Sequence, residues 1–199
     1  MNAVRAEWTK LRTTPGPAWL LLAAAAATVS LDVTQSLVRG VYLGQIPVAV
    51  LGVLVIGGEY GTALIGTTLT AIPRRPAVMA AKAAVLAAAM CAAAVPILAA
   101  APLAARLTLR AAAGSAAHLV LIALLALGTA AAARDSAAAI GTVLGLLYLP
   151  PILTQLVTDP DLHRRLARIA PMTGGPVALA AWSAGALLTG TLLLQLRDT

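Results

Sequence analysis

The sequence predicts an all-α integral membrane protein, a single domain over residues 1–199 with six transmembrane helices and an interfacial helix at the N-terminus. Three observations carry this. Hydrophobic residues make up 60% of the chain and charged residues 11%, with a mean hydropathy of +0.91; a soluble domain of this size needs far more polar surface. The apolar residues fall in runs near the ~20 residues that a membrane-crossing helix requires. The basic residues sit between those runs, so the net charge of +7 reads as topology signals and lipid-headgroup contacts, with no nucleic-acid partner. Much of the apolar content is alanine and there is no phenylalanine. Each span is therefore marginally hydrophobic, but its thin side chains let helices approach closely in lipid. Cys91 is the single cysteine, so no intrachain disulfide can form and the redox compartment stays open.

Residues 2–13 place Val4, Trp8 and Leu11 at helical spacing, with Arg5, Lys10 and Arg12 around them. This is a short amphipathic helix for the headgroup plane, ended by Thr13-Thr14-Pro15-Gly16-Pro17. The competing reading is the basic region of a signal peptide, disfavoured by its length and its two prolines. Span 1 runs from about Pro17 to Asp32 and span 2 from about Val41 to Gly58, with Gln45 and Pro47 inside it. A loop from Glu59 to Arg75 follows, then span 3 over about 77–103 and span 4 over about 111–133. Arg134-Asp135-Ser136 is a tight polar turn into span 5, which reaches about Val157 and should be broken midway by Pro150-Pro151. Residues 159–170 form a second amphipathic helix, with Asp159 as N-cap and Pro160 at N1. Leu162, Leu166 and Ile169 share one face of it, and Arg164, Arg165 and Arg168 lie elsewhere. Span 6 covers about 177–196.

Placing both termini inside puts Arg5, Lys10, Arg12, Arg74, Arg75, Lys82, Arg134 and Arg197 in the cytoplasm. Arg39, Arg106, Arg110, Arg164, Arg165 and Arg168 are left outside. That bias is weak. A five-span arrangement that drops span 5 would bring the Arg164 group inside; the length of the 137–157 run favours six.

Glu59 is the most telling charge, because a carboxylate near a span end is costly unless it meets water or a cation. The expected partner is Arg74, Arg75 or an adjacent helix end. Arg5, Trp8, Lys10, Arg12 and Lys82 are expected as interfacial anchors, and Gln45 and Gln155 as interhelical hydrogen bonders or path-lining groups. Ser115 and His118 stand three residues apart, but nothing else completes a hydrolase site. His163 reads as solvated, and two distant histidines with one cysteine make no metal site. No G-x-x-x-x-G-K-[ST] motif occurs, so the chain lacks a P-loop for ATP phosphates.

Taken in order, Glu7-Trp8-Thr9-Lys10-Leu11-Arg12, the Gly58–Lys82 segment with Pro73-Arg74-Arg75-Pro76, Arg134-Asp135-Ser136, Pro150-Pro151 and Leu196-Arg197-Asp198 resemble the permease subunits of ABC-2 type exporters of high-GC bacteria. The first outer loop is shorter than that pattern. The resemblance implies an elbow helix at 2–13, a cytoplasmic coupling helix within 61–75, roughly Thr62 to Ile72, and a short outer helix between spans 5 and 6. It implies contact with a separate ATP-binding subunit through Glu59, Tyr60, Gly61, Thr62, Leu64, Thr68, Arg74 and Arg75, and pairing with a second permease subunit. ATP and Mg would then belong to the partner, with no cofactor and no enzymatic step in this chain, and the location would be the bacterial cytoplasmic membrane. The alternatives are a non-transporting scaffold or sensor on the same fold and a stand-alone secondary carrier. The carrier is disfavoured by the lack of repeated halves and mid-membrane ionisable groups.

Overall fold

A computed structural model describes residues 3–13, 37–62, 64–71, 74–100, 109–156 and 159–196, and every regular element among them is an α-helix. In chain order these are α1 (Ala3–Thr13), α2 (Leu37–Gly61), α3 (Leu64–Ala71), α4 (Arg75–Ala100), α5 (Leu109–Ala133), α6 (Ser136–Leu156), α7 (Pro160–Ile169) and α8 (Gly175–Leu196). Five of them, α2, α4, α5, α6 and α8, are long and apolar enough to cross a membrane. The chain is a multi-pass membrane protein. Residues 17–32, the expected first span, lie outside the described residues.

Helix α5 is the centre: α2, α4, α6 and α8 all pack against it. Small residues make this possible. Gly52 of α2 lies against the Ala123 carbonyl and Ala126 of α5, while Gly128 of α5 meets the backbone of Ala186 and Leu187 on α8. The core is filled by Leu51, Ile56, Leu86, Ile122, Leu125, Leu147 and Leu179, all nearly inaccessible. In lipid such close backbone approach replaces the hydrophobic effect as the packing force. Ser183 adds a polar tie, its hydroxyl 2.8 Å from the Leu121 carbonyl across the α5–α8 contact.

Helix ends follow their local chemistry. The Arg74 carbonyl accepts from Ala77 (2.9 Å) and Val78 (3.3 Å) to start α4, and Pro76 stands in its first turn, where a missing N–H costs nothing. Arg134 leaves α5 in the left-handed region at φ 59, returning its N–H to the Ala130 carbonyl at 3.0 Å. Asp135 then caps α6, its carboxylate accepting from the Ala138 amide at 2.7 Å. Asp159 caps α7 in the same manner, accepting from Asp161 at 2.9 Å.

Pro150 and Pro151 do not break α6, contrary to the sequence expectation: the helix runs through them to Leu156. They stand in its later part, and the Thr154 hydroxyl takes up the Pro151 carbonyl at 2.8 Å. The carbonyls that lose their amide donors are those of Leu146 and Leu147, four residues earlier, and the helix carries that loss without breaking.

The bundle has two chemically distinct ends. At one lie α1, α3, the Arg134-Asp135 turn and the C-terminus of α8, whose Leu194 carbonyl accepts from Arg75 at 2.6 Å. At the other lie α7 and its neighbours. There the Gln45 amide reaches the Met172 sulfur at 3.9 Å, Trp182 donates to the Ile169 carbonyl at 2.9 Å, and the His163 Nδ1–H donates to the Thr154 carbonyl at 2.9 Å.

Candidate functional site

The densest chemistry among the described residues is a quartet of charges joining three helices at the α3 end. Glu7 and Lys10 come from α1, Glu59 from the last turn of α2 and Lys82 from α4. Helical spacing puts Glu7 and Lys10 on one side of α1, where their side chains meet at 3.1 Å. Lys10 Nζ also lies 2.7 Å from Glu59 Oε1. Lys82 Nζ is 2.8 Å from Glu7 Oε2 and 2.8 Å from Glu59 Oε1, and its third proton goes to the Val55 carbonyl at 3.3 Å. All three donors of that ammonium are therefore used.

Lys82 has no accessible surface, and Glu7 and Glu59 are buried at 6% and 8% exposure. Lys82 lies about 10 Å along α4 from Arg75 at 1.5 Å per residue. A lone ammonium at that depth would be expelled or neutralised; two carboxylates on two other helices hold it. With two positive and two negative groups the quartet is neutral overall. Glu59 Oε2 is buried and has no hydrogen-bond partner among the described residues. Burial alone would lower the Lys10 pKa, but the hydrogen bonds and charges of Glu59 and Glu7 outweigh it and hold the ammonium above its usual range.

This arrangement narrows the sequence expectation at one point and departs from it at another. Of the partners expected for Glu59, the adjacent helix end is the one found, as Lys10 in the last turn of α1, joined by Lys82 of α4, and neither Arg74 nor Arg75 takes part. Lys82 is committed to the protein interior rather than to a lipid surface. The physical reason is shared: the nearest cations in sequence lie across the α3 loop, whereas α1 and α4 fold back against the end of α2. Glu7 was missed as a site residue. The signal that pointed to it is Lys82 itself, since a lysine beyond the first turn of an apolar run requires a buried anion from elsewhere.

Around the quartet, Tyr60 is half-buried beneath the Arg134 guanidinium, 6.0 Å from its ring centre. Gly61 and Thr62 are exposed, and the Thr62 hydroxyl returns to the Gly58 carbonyl at 2.8 Å. Helix α3 follows, with Leu64 52% exposed and Gly66 and Thr67 open beside it; the side chain of Thr68 lies outside the described residues. Arg74 is exposed, whereas Arg75 ties α4 to the end of α8. Arg5 and Trp8 are exposed on α1, facing away from the quartet; the Arg12 side chain lies outside the described residues. Gln45 is fully buried, with its amide at the Met172 sulfur, and Gln155 is exposed. His118 is half-buried with Nε2 unpartnered among the described residues. No group of three or more histidine, cysteine or carboxylate side chains among the described residues could hold a metal ion.

The quartet ties α1 to two spans, the end of α2 and the start of α4, at the root of α3. No protein-family model, no curated protein and no solved structure matches this chain.

Proposed function

We propose that the chain is the permease subunit of an ATP-driven ABC-2 type exporter, forming half of a translocation path and resting on a separate ATP-binding subunit. The observation that carries this is the placement of α3. A helix of about two turns stands between two spans, presents Leu64 outward, and springs from a base braced by Lys10, Lys82, Glu7 and Glu59. A contact element on a rigid footing transmits rigid-body motion; one on a loose loop dissipates it. In this reading the α3 end faces the cytoplasm of a bacterial cell, both chain termini lie there, and α1 acts as an elbow helix in the headgroup layer with Trp8 exposed to it. Six spans are part of the reading: α1 lies at the end where α2 finishes, whereas α2 begins at the opposite end. A second permease copy completes the path, and ATP closure of the partner subunits drives the change of access.

The test is co-purification with an ATP-binding subunit co-expressed from a neighbouring reading frame. Leu64→Asp places a charge in the contact and is expected to cut recovery roughly thirtyfold, the equivalent of losing a hot-spot residue worth about 2 kcal/mol. Arg74→Glu is expected to weaken recovery less. Arg164→Glu, at the far end of the bundle, is expected to leave it unchanged. Wild-type recovery of the Leu64 variant, with the chain still folded, would remove α3 from the interface and with it the assignment.

A further inference from the structure

Between α6 and α8, over one face of α5, runs an open groove of about 610 Å³, inside the ~300–1,000 Å³ range of small-molecule sites. Leu125 forms its floor, Thr142 and Leu146 one wall, and Trp182, Gly185 and Thr189 the other. No charged side chain lines it among the described residues. Its hydroxyls are spent within their own helices: Thr129 donates to the Leu125 carbonyl at 2.8 Å, Thr142 to Ala138 at 2.7 Å and Thr189 to Gly185 at 2.8 Å. The Trp182 N–H is spent on the Ile169 carbonyl. An occupant therefore meets apolar surface and no free side-chain donor.

Depth narrows the chemistry further. Trp182 to Thr189 lie about 10–21 Å along α8, a helix of about 33 Å, which is the hydrocarbon zone of a bilayer about 30 Å thick. The two spans that flank the groove are the least covered of the five, each with 22% of its membrane window buried against 56% for α2. The groove thus opens sideways at the depth of the acyl chains, and the described residues that line it are all groups that hydrocarbon satisfies.

We propose that this groove seats one acyl chain of a bilayer phospholipid as a retained ligand, apart from the exchanging lipid around the rest of the bundle. The small side chains at Gly185 and Ala181 make the hollow, and Trp182 and Leu146 supply the contact area that holds a chain in it. Helices α5, α6 and α8 of one chain build the groove, at a place apart from α3.

The full chain, purified in mild detergent and equilibrated with dioleoyl phosphatidylglycerol, is examined by native mass spectrometry. One phospholipid per chain is expected to persist under activation that strips the others. A Cβ at Gly185 meets nothing within 4 Å, so Gly185→Leu should fold, fill the hollow and lower retention roughly tenfold, since a packed site cannot hold both groups. Thr189→Leu provides a second filling variant should the first fail to fold. Gly141→Leu, also in open space but on α6 outside the groove, is expected to retain lipid as the wild type does. The proposal is overturned if the wild type keeps no lipid or if the filled variants keep as much as it does. It is equally overturned if filling changes chain–chain association while lipid retention stays constant, because the occupant would then be a second copy.

Discussion

Lys82 is held by Glu7, Glu59 and the Val55 carbonyl with no accessible surface, and that makes the quartet fragile in a specific way. Breaking a buried pair from one side leaves an uncompensated charge, which costs about 3–5 kcal/mol, whereas replacing both partners by apolar groups is often neutral. Lys82→Met is therefore expected to lower the thermal midpoint of the purified chain substantially. The double variant with Glu59→Gln should recover much of that loss, a coupling of about 0.5–3 kcal/mol in a double-mutant cycle. Strict additivity would mean that the two residues do not share one network. Lys10 supplies a pH signature. Its folded pKa lies above the usual 10.5 through Glu59 and Glu7, with Lys82 as the like charge on the facing helix. Its contribution is thus fully present below pH 10.5 and is lost as pH rises through the folded value. Lys10→Met is expected to flatten the alkaline limb of stability above pH 10.5, measured as thermal midpoint against pH, while leaving the curve near neutrality parallel to that of the wild type.

The helices themselves separate what a sequence specifies from what only packing decides. Apolar runs, caps and turn residues are local, so α7 with its Asp159 cap and the Arg134-Asp135 junction could be read directly from residue order. Pro150-Pro151 misled because two missing amides cost hydrogen bonds without forcing a break, and in a long apolar span the helix continues through them to Leu156. The quartet was half legible: Glu59 stood out as a charge in apolar surroundings, but Lys82 read as an interfacial anchor, and its pairing with Glu7 and Glu59 needs the fold. Glycine roles show the same divide. A Cβ on Gly190 would lie 2.6 Å from the Gly128 carbonyl oxygen and 2.9 Å from the Ala131 Cβ, while one on Gly114 meets nothing. Gly190→Ala and Gly128→Ala should push α5 and α8 apart and destabilise the chain by about 1–3 kcal/mol. Gly114→Ala should be neutral or slightly stabilising, since alanine is the better helix former by about 1 kcal/mol. Chemical or thermal unfolding in detergent separates the two classes; equal effects at Gly190 and Gly114 would place the α5–α8 crossing elsewhere.

For the whole molecule the decisive quantity is which residues share an end of the bundle. Arg74 and the α3 helix stand at one end with the quartet, and Arg164 with α7 at the other, because α2, α5 and α8 run one way and α4 and α6 the other. Both positions are exposed, so each is open to a membrane-impermeant maleimide from its own side. Cys91 is exposed on α4 and must first become alanine. Arg74→Cys and Arg164→Cys are then introduced one at a time and labelled in intact cells and in inverted vesicles. Opposite sidedness is expected, with Arg74→Cys reached only in inverted vesicles and Arg164→Cys only in intact cells. The weak charge bias cannot substitute for this measurement. Two of the cations at the α3 end, Lys10 and Lys82, are engaged by carboxylates, and Arg164, Arg165 and Arg168 stand against them at the far end. Labelling of both positions from one side would break the antiparallel order of the spans. Opposite sidedness with Arg74→Cys outside would keep the fold but put α3 where no ATP-binding subunit can reach it.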